Sequence, residues 1–261
     1  MKQWKLTYEF SSEFTAPATD HYFKLRCFPR EDEMQRTASL RWSVNPPSGC
    51  SFESDAFGNK LLFGCCAQPH ERFDSRVGAV ILKGAEPETE RRDYYRLGML
   101  RVPTHLTAAG SDLSAFHMKL ENEKNTGSWQ RAGELMEALF SAFRYESGST
   151  AFTTTAEEAF AQGCGVCQDY AHIMLALCRL EGLTVRYVAG AIPGEGETHA
   201  WVQVYEDGLW KGFDPTHNRE TNDEYISFAV GRDAADCEIN RGIFKNAFEK
   251  SQRVHVMMEE F

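Results

Sequence analysis

The stretch Gly163-Cys164-Gly165-Val166-Cys167-Gln168-Asp169-Tyr170-Ala171-His172-Ile173-Met174-Leu175-Ala176-Leu177 decides the fold. From Gln168 to Leu180 apolar residues fall almost all round the helical wheel, and a helix without a polar face is a buried central helix. Gly182 terminates it, because glycine readily takes the left-handed conformation on which helices commonly end. Cys167 stands immediately before this helix. Helix N-terminal N–H groups and the macrodipole stabilise an anion, and thiols so placed commonly titrate well below free cysteine. The flanking glycines let backbone approach closely, as an oxyanion site requires. On this stretch alone, Cys167 is either a nucleophile or a cysteine that merely packs, as many buried cysteines do.

Downstream, Leu183 to Ile192, His199 to Tyr205 and Leu209 to Asp214 read as strands. Asp207-Gly208 between the last two is a strong hairpin signal. With that dipeptide as the loop, Glu206 pairs with Leu209, Gln203 with Gly212, Trp201 with Asp214 and His199 with Thr216. His199 and Asp214 then become diagonal neighbours on one face, within side-chain reach. This requires the ladder to run past Phe213 toward Pro215. An imidazole held by a carboxylate is the orienting pair that a thiol nucleophile needs. Singly, His199 reads as a structural histidine and Asp214 as a turn carboxylate. The run Gly190 to Gly196 reads as a loop leading to His199 and a candidate cleft rim.

Upstream, Leu135, Met136, Leu139, Phe140 and Phe143 share a helical face. Thr154 with Glu157, or Thr155 with Glu158, has capping-box spacing and opens a short helix through Ala161. The first third alternates with period two: Trp4, Leu6, Tyr8 and Phe10; Phe23, Leu25 and Cys27; Ala38, Leu40, Trp42 and Val44. A turn at Asp55 to Asn59 precedes Leu61 and Phe63, and Phe73 to Leu82 adds another strand. Short alternating runs punctuated by Gly, Pro and Asn predict an antiparallel β-sandwich. Gly84 to Arg92, charged and containing Pro87, is the expected linker. The whole reads as α+β, with an N-terminal β-rich unit over 1–88 and a helix-and-sheet core over 89–261.

The 261 residues carry a formal net charge of -10, with 42% apolar and 25% charged residues. The acidic balance and the lack of any Lys/Arg run argue against a nucleic-acid partner. No apolar run is long enough for a signal or a membrane span, so no membrane partner is expected. The eight cysteines form no regular framework, and reduced thiols in a cytoplasm are the expected state. Oligomeric state is not indicated.

Three segments resemble the transglutaminase-like superfamily, in particular bacterial members described as candidate cysteine proteases. They are Gly165-Val166-Cys167-Gln168-Asp169-Tyr170-Ala171-His172, Thr198-His199-Ala200-Trp201-Val202 and Trp210-Lys211-Gly212-Phe213-Asp214-Pro215-Thr216. Val230-Gly231-Arg232-Asp233-Ala234-Ala235-Asp236 is similar to the family's C-terminal segment. Asp55-Ala56-Phe57-Gly58-Asn59 and the strand pattern resemble the β-rich region that precedes the core in bacterial relatives. The resemblance implies a papain-like core with Cys167 as nucleophile, His199 as general base and acid, and Asp214 as the orienting carboxylate. Cys164 departs from the family pattern.

The implied chemistry is acyl transfer on a peptide or protein substrate through a thioester, with hydrolysis expected and neither metal nor cofactor needed. Alternatives are amine transfer of the transglutaminase type, a peptide-binding protein that retains the triad, and a thiol oxidoreductase using Cys164-x-x-Cys167. A zinc site on Cys164, Cys167 and His199 lacks a second close ligand pair. The Cys167 backbone N–H and Gln162 are the candidate oxyanion donors. Trp201 and Cys164 are candidates for the substrate cleft. Asp169 reads as structural; His172, His217 and Glu195 to Glu197 carry no assignment.

Overall fold

The computed structural model describes residues 1–84, 86–91, 93–120 and 126–261. Its first strand, β1 (Lys2–Leu25), buries Trp4, Leu6, Tyr8, Phe10 and Phe14, the alternation a pleated strand imposes. The register slips between Glu13 and Ala18, and β1 changes partners there. It is followed by β2 (Gln35–Asn45), β3 (Gly49–Ser54), β4 (Lys60–Cys66) and β5 (His70–Lys83). The first half of β1 pairs with β5 and its second half with β4. The expected sandwich is thus one eight-stranded sheet curled about β1.

The middle of the chain supplies β6 (Glu88–Thr89), α1 (Tyr94–Leu100), a 3₁₀ turn at His105–Thr107, α2 (Ser111–His117) and α3 (Ser128–Ala142). Next come β7 (Arg144–Tyr145), α4 (Ala156–Gln162), β8 (Cys164–Gly165) and α5 (Cys167–Leu180). In α3, Leu135, Met136 and Leu139 are buried, as is Phe143 at its C-cap, but Phe140 lies off the stripe and is exposed. Thr155 caps α4 with Glu158 reaching back, which decides between the two capping boxes. Gly182 ends α5 with φ +72°.

The remaining strands are β9 (Val185–Ala191), β10 (Gly194–Gly196), β11 (His199–Glu206), β12 (Leu209–Asp214), β13 (Arg219–Glu220), β14 (Ile226–Gly231), β15 (Asn240–Lys245) and β16 (Glu249–Glu260). A six-stranded sheet runs β13-β12-β11-β9-β14, with β6 added on β12. Helix α5 packs Ala171, Met174, Leu175 and Cys178 into one core with Val202 and Val204 of β11. Ala191, Ile226 and Phe228 instead join the core of the curled sheet, where Tyr8 meets Phe228 edge-on at 6.3 Å. Strand β9 and the edge strand β14 are therefore buried throughout, which is why their sequences are mostly apolar without alternation.

Two departures from the sequence reading concern where one unit ends. The expected linker contributes β6, and half-buried Glu88 within it pairs with Arg30 and Arg186; Ala85 and Arg92 of that linker lie outside the described residues. Strands β15 and β16 return to β1, so residues 240–260 belong to the curled sheet and not to the core sheet. The Asp55–Asn59 turn also bridges the two sheets. Asp55 accepts from the Phe57 and Asn59 N–H groups, and buried Asn59 exchanges two hydrogen bonds with the Val230 backbone at 2.7 and 2.8 Å.

Candidate active site

The thiol comes first in the chain. Strand β8 pairs in parallel with β7, which fixes Cys164 and Gly165 just ahead of α5. Asp169 at 1% exposure accepts the Val166 N–H at 2.8 Å and the Thr150 hydroxyl at 2.6 Å. A Cβ on Gly165 would lie 2.5 Å from Asp169 Oδ2, so only glycine lets the chain turn this tightly under the carboxylate. Asp169 is thereby a brace for the turn, and its burial raises its pKa. Cys167 emerges half-buried at the first position of α5, where its own N–H has no partner within the helix.

The Cys167 side chain opens into a cleft of about 660 Å³, whose wall includes Tyr145, the 192–198 segment, His199 and His217. His199 is the first residue of β11, opposite Gly190 of β9. Its Nε2 lies 2.8 Å from Asp214 Oδ2. The hairpin register runs as expected from Glu206–Leu209 through Gln203–Gly212, but the partners end at Val202–Phe213. Asp214 pairs with Arg219 of β13. The contact between imidazole and carboxylate therefore forms where β12 turns away, not along an extended ladder.

Asp214 is fully buried and holds an unusual set of donors. Oδ1 accepts the N–H groups of Thr216 and His217 at 3.0 and 3.3 Å. Oδ2 faces His199 and also His217 Nδ1 at 2.7 Å, and accepts the Tyr225 hydroxyl at 2.7 Å. Arg219 Nε donates in turn to the Tyr225 hydroxyl at 2.7 Å. Burial alone would raise the carboxyl's pKa, yet His199, His217 and Tyr225 hold it far below the usual range. For His199, burial pulls downward, but the bonds to Asp214 and the neighbouring Cys167 thiol raise its pKa to about 9. With Nε2 on Asp214, Nδ1 is the nitrogen left for Cys167.

Other residues named from sequence sit elsewhere. Trp201 is 2% exposed and packs with Val188, Tyr225 and Val230. Its ring lies 6.3 Å from that of His199 at 24°, behind the imidazole and outside the cleft wall. Cys164 is buried, with Gln162 Nε2 3.5 Å from its sulfur. Gln162 Nε2 also donates to the Ser149 carbonyl at 3.0 Å, so its amide braces a loop. Neither residue lines the cleft. His172 is buried on α5, accepting the Ala234 N–H at 3.1 Å, and burial lowers its pKa to about 4. The 230–236 segment thus clasps α5, with Arg179 donating to the Arg232 carbonyl at 2.7 Å.

His217, Tyr225 and Arg219 are the partners that sequence reading missed. His217 could have been suspected from its place three residues after Asp214; nothing local marks Tyr225. Donor atoms of His199, Asp214 and His217 lie within 4.8 Å of one another, near enough to chelate a metal ion. Their mutual hydrogen bonds already account for that convergence. Among the described residues no helix is long and apolar enough to cross a membrane, and all eight cysteines are unpaired.

Comparison with known proteins places these features in a family. Residues 115–215 match the transglutaminase-like superfamily core, and residues 4–81 match the bacterial transglutaminase-like N-terminal region. An uncharacterized protein of Mycobacterium leprae is 27% identical over 263 residues, covering 92% of this chain and 93% of its own. An uncharacterized protein of Mycobacterium tuberculosis is 25% identical over 281 residues, covering 95% and 90%. A crystal structure from Cytophaga hutchinsonii, described as a candidate cysteine protease, superposes with a TM-score of 0.81 at 20% identity. It covers all of this chain and 92% of the other. The likeness of that structure speaks for the fold. With the two family matches, one on each sheet, the chain carries a transglutaminase-like superfamily core over residues 115–215 and a bacterial transglutaminase-like N-terminal region over residues 4–81.

Proposed function

We propose that this protein is a cysteine-dependent acyl-transfer enzyme that hydrolyses peptide or carboxamide bonds. The observation that carries this reading is the buried His199–Asp214 hydrogen bond, formed in the wall of the same cleft into which Cys167 opens. The Cys167 thiolate attacks the carbonyl carbon, and the oxyanion that forms faces the Cys167 N–H at the start of α5. Imidazolium His199 gives its Nδ1 proton to the leaving nitrogen as the C–N bond breaks, leaving a thioester and a free amine. Neutral His199 then takes a proton from water, whose oxygen attacks the thioester. The C–S bond breaks, the acid departs, and the thiolate–imidazolium pair is restored.

Asp214 holds one edge of the imidazole so that the other faces sulfur, as the orienting carboxylate of such sites does. The unpaired cysteines suit a reducing compartment such as the cytoplasm. The test is turnover of a mixed peptide library by the parent and by Cys167→Ala, with thermal unfolding recorded for both. The reading expects cleavage by the parent and none by the variant at an unchanged melting temperature. Equal cleavage by both proteins overturns it.

A further inference from the structure

We propose that the substrate is an extended peptide segment bearing a basic side chain, which binds as an added strand along the free edge of β10. This deepens the acyl-transfer reading and rests on it. Strand β10 is outermost in its sheet order, and among the described residues it pairs with β16 alone. That pairing sets Gly194 against Met258 and Gly196 against Val256. The opposite edge of an outermost strand presents unpaired N–H and C=O groups, a ready template for another chain. Edges of this kind are commonly shortened, charged or flanked by proline, and β10, three residues long with Glu195 in it and Pro193 before it, is no exception. Here residues 194–196 lie in the wall of the cleft that holds Cys167 and His199.

Two further features fit an incoming strand. A Cβ added to Gly194 or Gly196 would meet nothing within 4 Å, so the sheet face at these residues is open to the side chains of a neighbouring segment. Strand addition takes its affinity from main-chain hydrogen bonds and its specificity from alternate side chains. Charge then selects the side chain. The cleft wall includes Glu195 and Glu197 and contains neither lysine nor arginine. Glu195 is engaged by His255 of β16 at 2.9 Å, which pins β10 to the sheet behind it. Glu197 is exposed and forms no ion pair among the described residues. It is the carboxylate available to a lysine or arginine of the bound segment, and it would repel an acidic one.

The test measures binding apart from chemistry. Fluorescein-labelled alanine pentapeptides with a central lysine, a central glutamate, or a central lysine and alternate N-methylated amides are titrated into full-length Cys167→Ala. Cys167→Ser serves as a second background should the first fold poorly. Fluorescence anisotropy is expected to rank the lysine peptide first. N-methylation should weaken it about tenfold by removing main-chain donors. The glutamate peptide should be weaker by a similar factor, and Glu197→Gln should erase the difference between lysine and glutamate while leaving the N-methyl effect intact. Equal binding of methylated and unmethylated peptides, equal binding of lysine and glutamate peptides, or no binding of any overturns the proposal. Because these proteins lack the thiol, such a result leaves the acyl-transfer reading to be judged separately on the reactivity of Cys167 in the parent.

Discussion

His199 and His217 converge on the same oxygen atom: Nε2 of the first lies 2.8 Å, and Nδ1 of the second 2.7 Å, from Asp214 Oδ2. Tyr225 adds a hydroxyl at 2.7 Å, and two backbone N–H groups engage the other oxygen. A carboxylate sharing its charge among five donors pulls less on any one of them. His217 therefore tempers the hold of Asp214 on His199.

Replacing His217 with Ala removes one competitor and should strengthen the remaining bond to His199. The pKa of His199, already about 9, is expected to rise further. Activity should change only a few fold, since the variant leaves Cys167, His199 and Asp214 in place. A pH titration of the His199 ring signals by NMR checks this, and a downward shift contradicts it.

Stability should fall on both sides of neutrality for different reasons. The pKa of His199 is raised from 6.5 to about 9, so its contribution is fully present below pH 6.5 and is lost as pH rises through about 9. Burial, and for His21 the adjacent His70, lowers the pKa of His21 and of His172 to about 4. Those two rings resist protonation in the fold, so stability is lost as pH falls from 6.5 through 4. Each amounts at most to something on the order of 3 kcal/mol. Urea midpoints measured from pH 4 to 9.5 should peak near pH 6.5 to 7. His199→Gln should flatten the alkaline arm; a curve still rising at pH 9 in the parent contradicts the assignment.

Asn59 docks the curled sheet onto β14 by standing in for a strand, donating to the Val230 carbonyl and accepting its N–H. Gln35 does the same at Ser227. Asn59→Leu leaves both Val230 groups buried without partners, at a cost of about 2–4 kcal/mol. Chemical denaturation should show that loss. A change below about 0.5 kcal/mol would mean that the turn is not what joins the sheets.

Gly190 makes room for the residues behind the imidazole. A Cβ there would lie 2.1 Å from the Ile226 carbonyl oxygen and 2.5 Å from the Trp201 ring. Gly190→Ala should therefore move β9 from β14 or Trp201 from beneath His199. The expected cost is about 1–3 kcal/mol of stability, with turnover falling beyond what unfolding explains. Full activity in a stable Gly190→Ala protein would show that the Trp201–His199 packing has no bearing on the site.

What was legible in the sequence follows from what is local. The apolar run from Tyr170 to Leu177 marked α5, and Asp207-Gly208 set the β11–β12 register because both residues take positive φ, 49° and 94°. The meeting of His199 with Asp214 followed from that register, although the last step depends on β12 leaving the ladder after Phe213. Long-range pairings were not legible. Nothing in Asn240 to Glu260 says that these strands return to β1, because an alternating strand does not name its partner. Trp201 looked like a cleft residue because, two residues after His199, it lies on the same sheet face, but its ring stacks behind the imidazole and packs with Val188, Tyr225 and Val230. Its large ring is accommodated by the missing side chain of Gly190, a fact that resides in another strand.

The central claim is that Cys167 and His199 act as a thiolate–imidazolium pair, and alkylation of Cys167 by iodoacetamide as a function of pH tests it most directly. The parent should react rapidly well below pH 8, His199→Ala should react more slowly there, and Cys164→Ser should match the parent. Ordinary thiol reactivity indifferent to His199 would contradict the account, and dependence on Cys164 would point to dithiol chemistry instead.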